Sequence, residues 1–154
     1  ASLMKDEVDI SFYIVGGGVN EGQLKTFAKE KGLSNVTFVG MQPPEEVADL
    51  YSAADVNVIP LQKGLIYAAL PSKTADCLIA GKPIITCVDE KSAFDNTMRK
   101  YGFFNAGSVN ADMLVREIKK TRLKNNVYDA PGLLAALFNR NENVKKYSSM
   151  IEQM

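Results

Sequence analysis

Short apolar runs alternate with stretches of helical period almost to the end of the chain. The runs ISFYIVG (10–16), NVTFVG (35–40), DVNVIP (55–60), KPIITCV (82–88) and GFFNAG (102–107) each predict a strand. They are rich in Val, Ile and Phe, and Gly, Pro, Asn or Asp bounds them. The first reads as a buried strand. Between the runs the polar positions follow a helical rhythm. Asn20 followed by Gln23 looks like a capping box opening a helix that turns Leu24, Phe27 and Ala28 inward. In PPEEVADLYSAA (43–54), Pro44 stands at a helix start with Glu45 and Glu46 in the first turn, as the helix dipole prefers. Ser72 reads as the cap of a short helix that buries Leu78 and Ile79 and stops at Gly81, and Leu114, Val115 and Ile118 mark a later helix.

This alternation predicts an α/β fold, a Rossmann-like parallel sheet with helices on both faces, in a single domain over residues 1–154. The tail breaks the rhythm. After LKNNVYD (123–129), Pro131 opens an apolar helix through Phe138. RNENVKKYSSMIEQM (140–154) then reads as an amphipathic helix with Val144, Tyr147 and Ile151 on one side. Two helices with no strand between them predict a helical tail over 127–154, packed on the flank of the sheet or against something absent from the chain. No repeat, linker or second domain is visible.

Composition narrows the function. With 154 residues, 46% hydrophobic and 23% charged, the chain is ordinary for a soluble domain with a real core. Eighteen basic residues balance eighteen acidic ones, and the aromatic residues form no stacking array, so nucleic acid is not an expected partner. No apolar run approaches the roughly 20 residues of a membrane span, and no signal-peptide pattern opens the chain. Two cysteines, Cys77 and Cys87, lack metal-ligand spacing and read as buried thiols in a reducing compartment. There is no histidine at all. A Ser-His-Asp or Cys-His site, or a His-ligated zinc, cannot be built from this chain alone.

Ligands of open α/β sheets bind beyond the carboxyl ends of the strands, which directs attention to three loops. VGGGVNEG (15–22) invites comparison with a dinucleotide fingerprint, but Glu21 takes the third glycine's place and no acidic residue ends the strand at TFVG. Its glycines either make a tight turn or admit a ligand close to the backbone. In VGMQPP (39–44) stiffened backbone groups could meet a flat base edge, although a helix start accounts for Pro44. In ALPSKTADCLIAG (69–81), Lys73 lies in the first turn of a helix, where the positive end of the dipole opposes it. A phosphate at the helix N-terminus would resolve the conflict, with Asp76 one turn on to accept hydrogen bonds from ribose hydroxyls. An exposed lysine and a solvated aspartate are the plain alternative. REIKKTRLK (116–124) reads as a solvated helix face, with contact to an anionic membrane surface as the other reading.

Taken in order, FYIVGGG, LSNVTFVGMQPPEEVADLYSAADVNVIPL and GKPIITCV resemble the C-terminal domain of GT-B glycosyltransferases of family 4, the group 1 enzymes. The likeness covers residues 4–108, and NVTFVG…EEVADLYSAADV is its most specific part. FNRNENVKKYSSMI (138–151) is similar to the family's C-terminal helix. The resemblance implies that Gly16, Gly17 and Gly18 face the diphosphate or sugar of a nucleotide-sugar donor. It places Val39, Gly40 and Gln42 near the base. It implies that Pro71, Ser72 and Lys73 hold the diphosphate and that Asp76 binds the ribose, where the family usually has glutamate. Of the family's spaced glutamate pair the second aligns with Asp76, but the first falls on Ala68, so no catalytic residue is assigned. The PSK form resembles a subgroup of bacterial surface-polysaccharide enzymes, in which Lys73 would take over part of the donor contact.

Family members begin earlier, with a strand and helix carrying an Arg and a Lys for the diphosphate, and before that an acceptor-binding domain. The resemblance therefore implies a fragment lacking the sheet's first strand, with the gap closed by rearrangement or by a second copy in a dimer. It implies the donor-binding half of a retaining, metal-independent glycosyltransferase, inactive by itself. The donor would be a UDP-sugar, with no other cofactor. The acceptor would be a surface-polysaccharide or lipid-linked saccharide, bound through the absent N-terminal domain. The full enzyme would be cytoplasmic, at the inner face of the plasma membrane by peripheral association. A non-catalytic nucleotide-binding or interaction module is the alternative from another class. A GT-B sugar-nucleotide epimerase is a further one, whose catalytic carboxylates and histidine have no counterpart here.

Overall fold

The computed structural model describes residues 1–67, 71–123, 128–139, 141, 144–145, 148–149 and 152. These residues form two compact units, Ala1–Leu50 and Tyr51–Met154, each with its own parallel sheet. All described strand pairs are parallel and each connection between them carries a helix, so the α/β expectation holds.

The first unit contains β1 (Phe12–Val15), α1 (Glu21–Glu30), β2 (Val36–Val39) and a 3-10 turn over Pro44–Glu46; the turn runs into α2 (Val47–Ala53), whose last three residues belong to the second unit. β1 and β2 pair in register from Phe12↔Val36 to Val15↔Val39. Pro44 does stand at the start of its turn, with both glutamates in the first positions. The expected burial of β1 does not occur: Tyr13 is 68% exposed, and Ile14, Val15, Leu24 and Phe27 are exposed as well. A lone pair of parallel strands has too little surface to cover both of its faces, and parallel sheets are ordinarily covered on both. Asn20 precedes α1 but makes no side-chain cap bond, so the capping box is not formed.

The second unit carries the core. It runs β3 (Asn57–Pro60), a 3-10 turn over Leu65–Tyr67, α3 (Lys73–Ile79), β4 (Ile84–Cys87), α4 (Ala93–Lys100), β5 (Phe104–Asn105), α5 (Ala111–Leu123) and α6 (Ala130–Phe138). Strand order is β3-β4-β5, and all four residues of β4 are buried, as befits the central strand. Ile59, Leu78, Ile84, Phe94, Met98 and Leu133 pack into one cluster, each worth about 1.5–3 kcal/mol of burial. Ile79 departs from expectation at 69% exposed, because it falls on the opposite face of α3 from Cys77 and Leu78. Gly81 ends that helix as its sequence predicts, at φ +66°.

The tail begins as expected. Pro131 lies in the first turn of α6, capped by the Asp129 carboxylate, and Leu133 is fully buried where α6 packs on α3. Tyr128 stacks on Phe103 at 4.9 Å. Of the face expected for the final helix, Val144 is exposed, whereas Tyr147 and Ile151 lie outside the described residues. The basic run 116–124 is not uniformly solvated: Glu117 and Ile118 are buried, and Lys120 pairs with Glu117 at 2.7 Å. Lys124 lies outside the described residues. Among the described residues no helix is long and apolar enough to cross a membrane.

Candidate functional site

The chain turns sharply after β1 because Gly16 adopts φ +110°, which a side chain would oppose. Its N–H donates to the Val39 carbonyl at 3.0 Å, so the glycine loop and the end of β2 sit together. The side chain of Met41 approaches Gly16 and Gly17, and a Cβ on Gly17 would come within 3.3 Å of the Glu21 carboxylate. Gly18 is different. It has no positive φ, and a Cβ there would meet nothing within 4 Å. The same is true of Gly40. Neither glycine is required by its own turn or neighbours.

An open groove of about 260 Å³ follows this loop, lined by Gly16, Gly17, Gly18, Glu21 and the apolar Val15 and Leu24. Gln42 is half-buried and folds back, its Nε2 donating to the carbonyls of Gly40 and Met41, each at 3.2 Å. Thus Gly16, Gly17, Gly18, Val39, Gly40 and Gln42 all belong to the carboxyl ends of β1 and β2 in the first unit.

The other predicted residues belong to the second unit. Pro71 is buried, and its carbonyl accepts from Thr74 N–H at 3.0 Å, while the Ser72 carbonyl accepts from Ala75 N–H at 3.3 Å. Ser72 is in the right-handed helical conformation and its hydroxyl makes no cap bond, so its expected capping role is not realised. Extended backbone at the cap would be needed to aim the hydroxyl at the N–H groups two and three residues ahead of it. Lys73 is half-buried and Asp76 exposed, and neither forms an ion pair among the described residues. The conflict at Lys73 therefore has no resolution within the described chain: a cation sits in the first turn with no carboxylate on it.

Both groups act on Cys77. Burial pushes this thiol up to about 12, with Lys73 pulling down against it and Asp76 adding to it. Tyr51, half-buried at the edge of the core, is raised by burial first and then by Cys77 and Asp76. Cys87 is raised to about 11 by burial alone. Both cysteines are buried and free. These thiols are core, as their spacing predicts. Ala68, the position of the missing glutamate, lies outside the described residues.

Sequence reasoning overlooked Asp89, two residues past the end of β4. Its Oδ2 accepts from Gly64 N–H and its Oδ1 from the Ser108 hydroxyl at 2.8 Å. Asn105, 6% exposed, likewise ties β5 to β4: its Oδ1 accepts from Val88 N–H and its Nδ2 donates to the Val88 carbonyl, both at 3.1 Å. The signal available was position alone, a carboxylate at the carboxyl end of a central strand.

Comparison with known proteins identifies the fold and the family. The family described as glycosyl transferases group 1 matches residues 1–131. A protein of Escherichia coli (strain K12) named as a colanic acid biosynthesis glycosyl transferase, WcaI, is 31% identical over 87 residues, which cover 56% of this chain and 21% of that protein. The solved structure of sucrose-phosphate synthase from Thermosynechococcus elongatus superimposes with a TM-score of 0.71 at 20% identity, covering 99% of this chain and 41% of that one. The chain thus spans about a fifth of WcaI and about two fifths of the synthase chain. It belongs to the group 1 glycosyl transferases, with the GT-B type of α/β fold.

Proposed function

We propose that this group 1 glycosyl transferase domain binds the nucleoside diphosphate of a sugar donor, a UDP-sugar, for a retaining, metal-independent transferase. The observation that carries the reading is Lys73, a first-turn cation with no ion pair among the described residues, with the exposed carboxylate of Asp76, likewise unpaired among them, three residues further on. Departure of a nucleoside diphosphate builds negative charge on its terminal phosphate. The Lys73 ammonium, at the positive end of α3, opposes that charge and so favours the transition state over the bound donor. Asp76 accepts hydrogen bonds from the ribose hydroxyls. The loops at Gly16, Gly17 and Gly18 and at Val39, Gly40 and Gln42 offer backbone groups to the sugar and the base. A saccharide acceptor of the surface-polysaccharide or lipid-linked kind binds elsewhere in the whole enzyme, at the cytoplasmic face of the membrane. The colanic acid named for WcaI supports that acceptor class.

A phosphate-dependence series tests this reading. Calorimetric titration of uridine, UMP and UDP into the chain, to millimolar concentration, is expected to show affinity rising with each phosphate. Equal affinity across the three would place the phosphates in solvent and overturn the proposal.

A further inference from the structure

In the second unit, the three loops at the carboxyl end of the β3-β4-β5 sheet are joined by side chains. Backbone bonding runs one residue past β3 and β5, with Leu61 N–H on the Cys87 carbonyl and Ala106 N–H on the Thr86 carbonyl, and beyond it Asp89 takes over. The carboxylate spends one oxygen on Gly64, in the loop after β3, and the other on Ser108, in the loop after β5. Gly64 itself has φ +84°, so this turn is one that only glycine adopts without strain. Immediately after it, Tyr67 N–H returns to the Gly64 carbonyl and Ile66 packs against the core. Pro71 and Lys73 follow within ten residues of Gly64. On the other side, Gly107 N–H donates to Asn105 Oδ1 at 3.0 Å and so holds the Ser108 loop against β4 as well. Both oxygens of the carboxylate are engaged by these neutral donors.

Resting on the donor-binding reading, we propose that Asp89 is a positioning residue for the donor site. It fixes the loop after β3 at Gly64, nine residues before Lys73, without touching the ligand. Replacement by asparagine separates this role from direct contact. An asparagine can accept from Gly64 through its carbonyl and donate to the Ser108 oxygen through its amide, preserving both links while losing the charge.

The test reads two quantities in the full chain. The first is the exchange rate of the Gly64 amide without ligand. The second is UDP affinity, followed by calorimetry and by the ³¹P shift of bound UDP. Asp89→Ala is expected to speed Gly64 exchange about tenfold and to weaken UDP by a similar factor, while Asp89→Asn stays within about twofold of the unsubstituted chain in both. Ser108→Ala, which removes one arm only, is expected to fall between them, and it serves if Asp89→Ala does not fold. Unchanged exchange in Asp89→Ala, or unchanged UDP affinity and ³¹P shift, would overturn the proposal. Equal loss of affinity in Asp89→Asn and Asp89→Ala would overturn it too, because the carboxylate itself would then meet the ligand. If the unsubstituted chain bound no UDP, the donor reading would fall, while Gly64 exchange would still decide whether the latch exists.

Discussion

At the scale of single residues, glycines distinguish what the backbone needs from what a ligand needs. Gly16 is needed by its own φ, so Gly16→Ala is expected to destabilise by about 1–3 kcal/mol. Gly18 and Gly40 have neither a positive φ nor a crowded Cβ. Replacing either with alanine is therefore expected to stabilise the fold by about 0.4–1 kcal/mol through the unfolded chain, yet to weaken UDP binding. Urea denaturation beside calorimetry would show the two effects with opposite sign. The thiols make a different prediction, about pH. Burial raises Cys77 to about 12 and Cys87 to about 11 from an ordinary value of 9.0. The unfolded chain ionises them first, so their contribution is complete below pH 9 and is lost as pH rises from 9 toward those values. In that window each thiol costs about 1.4 kcal/mol of stability per pH unit. Urea unfolding at pH 8, 9.5 and 10.5 is expected to show this fall, and to show it less steeply in Cys77→Ala.

At the scale of elements, two serines that look alike in sequence do different things. Ser92 has extended backbone before α4, and its hydroxyl accepts from Asp95 N–H at 3.1 Å. Asp95 in turn reaches back to Lys91 N–H at 2.8 Å and forward to Arg99 at 2.7 Å, holding Lys91 at φ +62°. Ser72 is already helical and caps nothing. Thermal denaturation should therefore show Ser92→Ala losing about 1 kcal/mol and Ser72→Ala close to nothing. Residue type alone could not separate the two, because capping depends on backbone conformation as well as on the hydroxyl. Apolar periodicity was a better guide: it located β3, β4, α5 and α6, and Pro44, Gly81 and Pro131 punctuate their elements as read. It failed at Ile79, which lies on the face of α3 away from Cys77 and Leu78, and the capping signal failed at Asn20, whose side chain makes no cap bond. Asp89 escaped notice because its partners Gly64 and Ser108 are distant in sequence.

At the scale of the molecule, the burial of the two units differs in a way their strands do not announce. FYIV in β1 and IITC in β4 look equally apolar, but only β4 has a strand on each side and buries every residue. Hydrogen exchange is expected to protect the β4 amides up to the global unfolding free energy and to leave β1 exchanging faster through local opening. Equal protection would mean that β1 is covered in solution. The proposed phosphate site is signalled in the sequence by a conflict, a lysine where the helix dipole resists one, and the structure leaves that conflict standing among the described residues. The direct test is UDP titration of the unsubstituted chain against Lys73→Ala. If Lys73 holds the diphosphate, affinity falls about tenfold or more, roughly 1.4 kcal/mol, with the melting temperature unchanged. Equal affinity in the two proteins would contradict the account and make Lys73 an ordinary surface residue.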